Sequence, residues 1–164
     1  MKYVIRVMLC LVVILFSAGT AMYLYFSPER QPDPVVSEAT LVELDTGAVV
    51  GYQNLLGVSV WQGIPFAQPP VGELRWRAPR PAAPWQGRKS ALAIGPDCAS
   101  QTSQTAAENN HFKGVEDCLY LNVYAPNGAK DLPVMYWIHG GANNGGSSSN
   151  PVYDGSQLAA QFDV

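Results

Sequence analysis

The chain has 164 residues and a net charge of −3, with 48% hydrophobic and 14% charged residues. Its 15 glycines and 13 prolines give a high turn content, which excludes a coiled coil and a disordered acidic tail. The slightly acidic balance excludes a basic nucleic-acid module, and 3 cysteines are too few for a disulfide-framework miniprotein.

The N-terminus carries a basic region followed by a long uncharged stretch. Lys2 and Arg6 lie within residues 1–6, and residues 7–26 contain no charged side chain. A helix of this length spans about 30 Å, the thickness of the hydrocarbon core of a bilayer. Two interpretations stay open. One is an uncleaved transmembrane anchor with aromatic residues at its far end, and the other is a signal peptide that ends at Gly19-Thr20-Ala21.

Both interpretations place the rest of the chain outside the cytoplasm, because basic residues hold the N-terminus on the cytoplasmic side. The protein is expected to be membrane-anchored through residues 7–26, or secreted or periplasmic if the segment is cleaved. Residues 27–38 follow as a Pro-rich linker, which predicts a stiff and extended connection. Residues 39–164 are long enough for one small folded domain.

Short β-prone runs open this domain. Residues 39–44 and 48–53 flank the turn Asp45-Thr46-Gly47, a pattern typical of a hairpin, and residues 57–61 predict a third strand. The Pro-rich stretch over residues 65–84 has no periodicity and predicts ordered but irregular chain. Apolar side chains in and beside it predict that it packs against the domain: Phe66, Leu74, Trp76 and Trp85.

Two further strands and a helix are predicted in the C-terminal half. Residues 119–124 predict a strand, and residues 133–138 predict a stronger one, because they are nearly all apolar like a strand covered on both faces of an α/β sheet. A loop rich in Gly, Asn and Ser over residues 140–149 leads to a helix over residues 156–161, capped by Asp154 or Ser156. One helix covers little of such a sheet, so we expect an interrupted domain.

Motifs in a fixed order carry a family resemblance. Residues 116–123, which begin Glu116-Asp117-Cys118, and residues 134–141, which end His139-Gly140-Gly141, form a specific pair supported by residues 63–76. Together they closely resemble the type-B carboxylesterase family, the cholinesterase-like branch of the α/β-hydrolases. The resemblance covers residue 41 to the end. It implies the N-terminal portion of an α/β-hydrolase fold, with a small β-hairpin sheet and the first strands of the central sheet.

The glycine run after the predicted apolar strand is a candidate oxyanion-hole loop. Consecutive backbone N–H groups at a sheet edge can bind the negative oxygen of a tetrahedral acyl-transfer intermediate. The resemblance implies that Gly141 and Ala142 are two donors, with Gly140 and His139 shaping the loop. Ala142 stands where a third glycine is commoner, and we expect its N–H to serve if its φ is negative. The alternative is a plain Gly-rich strand exit.

The catalytic residues of a serine hydrolase are missing from this sequence. Such an enzyme needs a Gly-x-Ser-x-Gly elbow, and no serine here has glycine both two residues before and two residues after it. The resemblance places the general base far downstream, so His139 is assigned to the loop and His111 to a solvated surface. These two histidines are far apart and have no carboxylate at ligand spacing, so neither a metal site nor a cofactor is expected.

Two structural contacts are expected. Cys98 and Cys118 are 20 residues apart in an exported context, which favours a disulfide over two free thiols, and the resemblance implies the same pairing. The resemblance also pairs Arg75 with Glu116. Constrained backbone around both residues would lower the entropy cost of this ion pair, and two solvated charges are the alternative.

These patterns predict the N-terminal fragment of an exported carboxylic ester hydrolase, a serine esterase when full length, with the oxyanion-hole loop but not the nucleophile. Its partner would be a small-molecule carboxylic ester, and no nucleic acid is expected. No Trp or Tyr lies between Cys98 and Cys118, so a quaternary-ammonium substrate is not supported. The alternative is a cholinesterase-like adhesion or scaffold protein that keeps this fold without a working triad.

Overall fold

The computed structural model describes residues 32–101 and 112–164, together with Val12, Phe16, Ser17, Gly19, Thr20 and Met22, which are helical. Two compact units divide the chain, Met1–Asp33 and Pro34–Val164. Most of the predicted apolar segment over residues 7–26 lies outside the described residues. Among those that are described, no helix has the length and apolarity needed to cross a membrane.

The described residues of the second unit form short strands and one α-helix. Its elements in chain order are β1 (Val42–Leu44), β2 (Gly47–Val50), β3 (Tyr52–Gln53), β4 (Val58–Pro65), β5 (Arg88–Ser90), β6 (Ser100–Gln101), β7 (Phe112–Lys113), β8 (Tyr120–Pro126) and α1 (Ser156–Phe162). Three 3-10 turns interrupt them at Glu38–Thr40, Gly72–Leu74 and Pro151–Tyr153. The predicted hairpin, the third strand, the strand over residues 119–124 and the helix are thus all present, the last two as β8 and α1.

The first sheet has the order β1-β2-β5. β1 and β2 form the predicted antiparallel hairpin, with Glu43 opposite Ala48. The hairpin is shorter than predicted because Glu38–Thr40 forms a 3-10 turn that buries Thr40. The Thr40 hydroxyl accepts the Gly51 N–H at 2.8 Å, and the Thr40 carbonyl accepts the Trp61 indole N–H at 2.7 Å. These bonds tie the hairpin to β4.

The second sheet has the order β3-β4-β8 and is antiparallel throughout. A β-bulge lies between Trp61 and Ile64 on β4. Gly63 in the bulge has φ +70°, and its N–H donates to the Asn122 side-chain oxygen at 3.1 Å. Such a bulge bends the strand and increases its twist. The long β4–β8 pairing is the frame on which the C-terminal loop and helix are placed.

The core of this unit lies between the second sheet and the helix. Val58 and Val60 of β4 are buried against Ala159 of α1, and Tyr52 and Tyr124 pack around them. Burial raises the pKa of both tyrosines, and the charges of Tyr124 and Asp154 raise the pKa of Tyr52 further. The alternating inward side chains of β4 therefore specify where the helix docks.

The helix is held by side-chain bonds at its start. The Asp154 carboxylate accepts the Ser156 N–H at 2.8 Å. Of the two predicted capping residues, Asp154 is therefore the one that accepts a backbone hydrogen bond. The buried Ser156 hydroxyl accepts from the Asn54 side-chain amide at 2.8 Å. The sequence pattern did not single out Asn54, although it joins the turn before β4 to the helix.

The prediction of a strand over residues 133–138 is wrong for this structure. The segment is irregular, no strand of the described chain pairs with it, and Val134 and Ile138 are 90% and 76% exposed. Its apolar composition is that of a buried strand, but a strand also needs neighbours to share its ladder hydrogen bonds. The described residues do not supply them.

The Pro-rich stretch is ordered and irregular as predicted, but two of its aromatic residues are not packed down. Trp76 is 96% exposed and Phe66 is 50% exposed. Trp76 lies two residues after the Gly72–Leu74 turn and has φ +58°, and its ring is left in solvent. Trp85 does pack, because its indole N–H donates to the Ala48 carbonyl at 2.8 Å.

Candidate functional site

The candidate oxyanion-hole loop runs from residue 140 to residue 149, between the unpaired apolar segment and α1. Its first part is a tight turn in which Gly141, Ala142 and Asn143 have φ values of +136°, +52° and +58°. The Gly141 carbonyl closes the turn by accepting the N–H groups of Asn144 at 2.9 Å and Gly145 at 3.3 Å. A side chain at residue 141 would collide with the Gly145 carbonyl, so this position requires glycine.

The condition placed on Ala142 from the sequence is not met, because its φ is positive. An alanine in the left-handed region costs about 1 kcal/mol and is held there by the closed turn around it. The N–H group is nevertheless retained. Within the described part of the chain, neither the Gly141 nor the Ala142 N–H donates to a protein acceptor, so both are available to a ligand oxygen.

His139 lies at the entry to the loop. Its ring Nδ1 is 2.9 Å from the Gly140 carbonyl oxygen, a hydrogen bond of the kind expected of a residue that shapes the loop. A side chain at residue 146 would collide with the same carbonyl and with the His139 ring. Gly146, at φ +97°, therefore lets the end of the turn close against its beginning. His111 lies outside the described residues.

A polar network joins the loop to the residue before Cys98. The Ser147 hydroxyl donates to the Asp97 carboxylate, and it accepts the Ser149 N–H at 2.9 Å. Hydrogen bonds from Ser147 and Ser149, with a smaller contribution from the charge of His139, hold the pKa of Asp97 below its usual value against the effect of burial. Asp97 was not predicted as a site residue from the sequence. The only pattern that could have indicated it is that this carboxylate directly precedes Cys98.

Cys98 and Cys118 are joined by a disulfide, with their Cα atoms 5.0 Å apart. The two ends of the enclosed loop also pair through backbone bonds, because the Val115 N–H donates to the Asp97 carbonyl at 2.9 Å and the Ala99 N–H donates to the Val115 carbonyl at 3.0 Å. Residues 102–111 of this loop lie outside the described residues.

Arg75 and Glu116 lie together as expected, with Arg75 Nε 2.6 Å from Glu116 Oε1. Their side chains are 54% and 44% exposed, so solvent screens the pair. The contact links the Gly72–Leu74 turn to the start of the β8 segment. Among the described residues, no group of three or more His, Cys, Asp and Glu side chains could hold a metal ion.

The loop can therefore offer hydrogen-bond donors to an anionic oxygen, but the described residues provide no activated nucleophile beside it. Ser147 is the nearest hydroxyl along the chain, and it donates to a carboxylate rather than to an imidazole. A carboxylate with a lowered pKa is a much weaker base than an imidazole, so it activates this hydroxyl poorly.

Comparison with known proteins shows which family this chain resembles. A family model described as "Carboxylesterase family" matches residues 38–164. Para-nitrobenzyl esterase from Bacillus subtilis (strain 168) is 47% identical over 110 residues, which are 66% of this chain and 22% of the relative. Fumonisin B1 esterase from Sphingopyxis macrogoltabida is 45% identical over 117 residues, which are 70% of this chain and 21% of the relative.

Solved structures agree with these relatives. A PNB esterase structure matches with a TM-score of 0.68 and 44% identity, over 77% of this chain and 26% of that chain. A carboxylesterase from Geobacillus stearothermophilus matches with a TM-score of 0.65 and 41% identity, over 76% and 25%. The predicted fold class, a portion of an α/β-hydrolase fold, is thus confirmed. The chain spans 21–22% of the length of the two curated relatives. This chain belongs to the carboxylesterase family.

Proposed function

We propose that this chain supplies the oxyanion-hole loop of a carboxylic ester hydrolase. The observation that carries the proposal is the pair of unengaged N–H groups at Gly141 and Ala142, in a turn that requires glycine at its first position. Donors of this kind stabilise the charge that develops on the carbonyl oxygen during acyl transfer. The substrate class is a small-molecule carboxylic ester, as the esterase names of the relatives support.

In this proposal the nucleophilic serine, its acid and its base belong to a part of the enzyme outside these 164 residues. Support comes from the sequence, which contains no Gly-x-Ser-x-Gly elbow. Relatives that are matched over only part of their length also support it. No observation favours the alternative of an adhesion or scaffold protein.

The test is a hybrid esterase, in which residues 38–164 replace the matching segment of the Bacillus subtilis para-nitrobenzyl esterase. We expect the hybrid to hydrolyse a p-nitrophenyl ester. Gly141→Ala in the hybrid should lower kcat about 10²-fold or more, the usual effect of losing an oxyanion-hole donor, because the new side chain meets the Gly145 carbonyl.

Gly128→Ala is the matched control. Gly128 also has a positive φ, +71°, but a side chain there meets open space. It should leave kcat within about twofold of the unsubstituted hybrid, since it changes no contact of the loop. An unsubstituted hybrid that folds but does not hydrolyse esters would contradict the proposal, as would equal kcat values for the two variants.

We propose in addition that residues 7–26 direct the chain across a membrane, as a cleaved signal or as a retained anchor. The charge pattern of residues 1–26 supports this proposal. The test is expression of the chain with a C-terminal tag, followed by fractionation and mass spectrometry. A shortened exported chain indicates a signal, and a full-length chain in the membrane indicates an anchor. A full-length chain in the cytosol would contradict export.

A further inference from the structure

We propose that Asp97 is a positioning residue for the oxyanion-hole loop and that it acts through Ser147. The proposal rests on the proposed function for the meaning of the loop, and it adds a residue that neither the family resemblance nor the sequence pattern assigns. The Ser147 hydroxyl donates to the Asp97 carboxylate across 50 residues of sequence, so this contact is tertiary. It is the side-chain contact through which the described chain outside the loop holds residue 147.

Ser147 controls the closing side of the turn. Ser147 directly follows Gly146, whose backbone packs against the Gly140 carbonyl and the His139 ring. The preceding residue, Gly145, donates its N–H to the Gly141 carbonyl at 3.3 Å. Residues 145–147 therefore form the closing side of the turn that presents the two free N–H groups. Fixing Ser147 fixes that side.

Asp97 is itself held by backbone bonds and by the neighbouring disulfide. Its carbonyl accepts the Val115 N–H at 2.9 Å, and the next residue, Cys98, is joined to Cys118 by the disulfide. Cys118 in turn lies two residues before β8, the strand that pairs with β4. Asp97 is thus attached to the second sheet through the disulfide and backbone hydrogen bonds. The loop between residues 140 and 149, in contrast, contains no strand.

The contact between Ser147 and Asp97 has an ionised acceptor. The Ser147 and Ser149 hydroxyls are hydrogen-bonded to one another at 2.7 Å, and the Ser147 hydroxyl donates to the Asp97 carboxylate. An ionised acceptor makes a hydrogen bond roughly twice as strong as a neutral one. The ordinary pKa of an aspartate, 3.8, already leaves the Asp97 carboxylate ionised at neutral pH, and the hydrogen bonds lower this pKa further. Solvent weakens the contact because Asp97 is exposed, but the acceptor is a charged group rather than a neutral one.

The first test measures the order of the loop in the 164-residue chain by ¹⁵N relaxation. Gly141, Gly145 and Gly146 should have rigid backbone order parameters of about 0.8 in the unsubstituted chain. Asp97→Ala and Ser147→Ala should each lower them below about 0.6 while β4 and β8 stay unchanged. Ser148→Ala is the matched control, because Ser148 makes no hydrogen bond with the described residues and should leave the loop rigid.

The second test uses the hybrid esterase. Loss of a positioning contact should reduce kcat about tenfold with little change in KM, because the loop acts on the transition state rather than on the bound ester. Asp97→Asn should keep most of the kcat, since its amide oxygen still accepts from Ser147. A residue with only a structural role would not give this split or this rescue.

The outcomes separate the two proposals. If Asp97→Ala leaves the loop order parameters at the Ser148→Ala values, the positioning role is wrong whatever the hybrid does. If the loop loosens as expected but the unsubstituted hybrid is inactive, the anchor is real and the proposed function is wrong. Equal losses of kcat in Asp97→Asn and Asp97→Ala would also contradict positioning through an acceptor oxygen.

Discussion

At the scale of single residues, the ion pairs of this chain are close but poorly shielded from water. Arg75 and Glu116 approach to 2.6 Å while remaining 54% and 44% exposed. A buried pair would lose about 3–5 kcal/mol when one partner is removed, but an exposed pair contributes only about 0–1 kcal/mol. Because both side chains of this pair are about half exposed, we expect the smaller value.

We predict that a double-mutant cycle of Arg75→Ala and Glu116→Ala gives a coupling free energy below about 1 kcal/mol, which falls further in high salt. Urea unfolding of the 164-residue chain measures it. Arg88 and Glu38 form the matched control pair, also at 2.6 Å, with side chains 54% and 68% exposed, and should give a coupling no larger. A coupling above about 2 kcal/mol would show that the first pair is shielded in solution.

A second residue-scale prediction concerns pH. Hydrogen bonds from Ser147 and Ser149 lower the pKa of Asp97 from its ordinary value of 3.8. A carboxyl with a lowered folded-state pKa adds stability that is present above the unfolded pKa and is lost as the pH falls through the folded value. Stability should therefore fall below about pH 4 by more in the unsubstituted chain than in Ser147→Ala. Urea midpoints at pH 6 and pH 3 measure this difference, and equal losses would contradict it.

At the scale of elements, a tight constraint lies where the residue after β2 crosses β4. Gly51 is buried, its N–H donates to the Thr40 hydroxyl, and a side chain there would collide with the Val60 carbonyl. Because backbone cannot yield like the end of a flexible side chain, the strands would have to separate. Overpacking of this kind costs about 1–3 kcal/mol or more.

We predict that Gly51→Ala lowers the free energy of unfolding by at least about 2 kcal/mol. Gly145→Ala is the matched control, because Gly145 also lacks a positive φ and a side chain there meets nothing within 4 Å. Urea unfolding followed by tryptophan fluorescence compares the two variants. The same midpoint for both would mean that the close approach of Gly51 to β4 is relaxed in solution.

The elements that the sequence predicts correctly are those specified by neighbouring residues. Asp45-Thr46-Gly47 places the first hairpin, and the short β-prone run over residues 57–61 places the first half of β4. The parallel addition of β5 to β2 was not predicted, because Arg88–Ser90 is a short polar run whose only reason to be a strand is its neighbour. The opposite error occurred at residues 133–138, where apolar composition indicates a strand but pairing is missing among the described residues.

The candidate site shows the same division. The glycines of the loop were recognised because their spacing is a motif, and the turn confirms that Gly141 must be glycine. The positive φ of Ala142 could not be predicted, since it arises from bonds that close the turn around it. Asp97 was missed for a similar reason, because its partner is 50 residues away.

At the scale of the whole molecule, we propose that this chain contributes the oxyanion-hole loop and that the catalytic triad lies outside these 164 residues. Its free N–H groups can bind an oxyanion, and removal of a triad leaves an oxyanion hole with only about 10³–10⁴-fold catalysis over water even in a complete substrate site. Here the loop is open to solvent, with Gly140, Gly141 and Ala142 all exposed. Water competes for exposed donors, so their contribution to catalysis should be far smaller than in a closed site.

We therefore predict that the 164-residue chain alone has no measurable esterase turnover. No serine of the sequence lies in a nucleophile elbow, and the Ser147 hydroxyl in the loop donates to the weakly basic Asp97 carboxylate rather than to an imidazole. Purified chain should hydrolyse p-nitrophenyl acetate at the buffer rate, and a serine-directed phosphonate should leave its mass unchanged. The active hybrid esterase is the positive control. Turnover above the buffer rate that the phosphonate abolishes, with one equivalent of label on a serine, would show that a nucleophile is present in this chain.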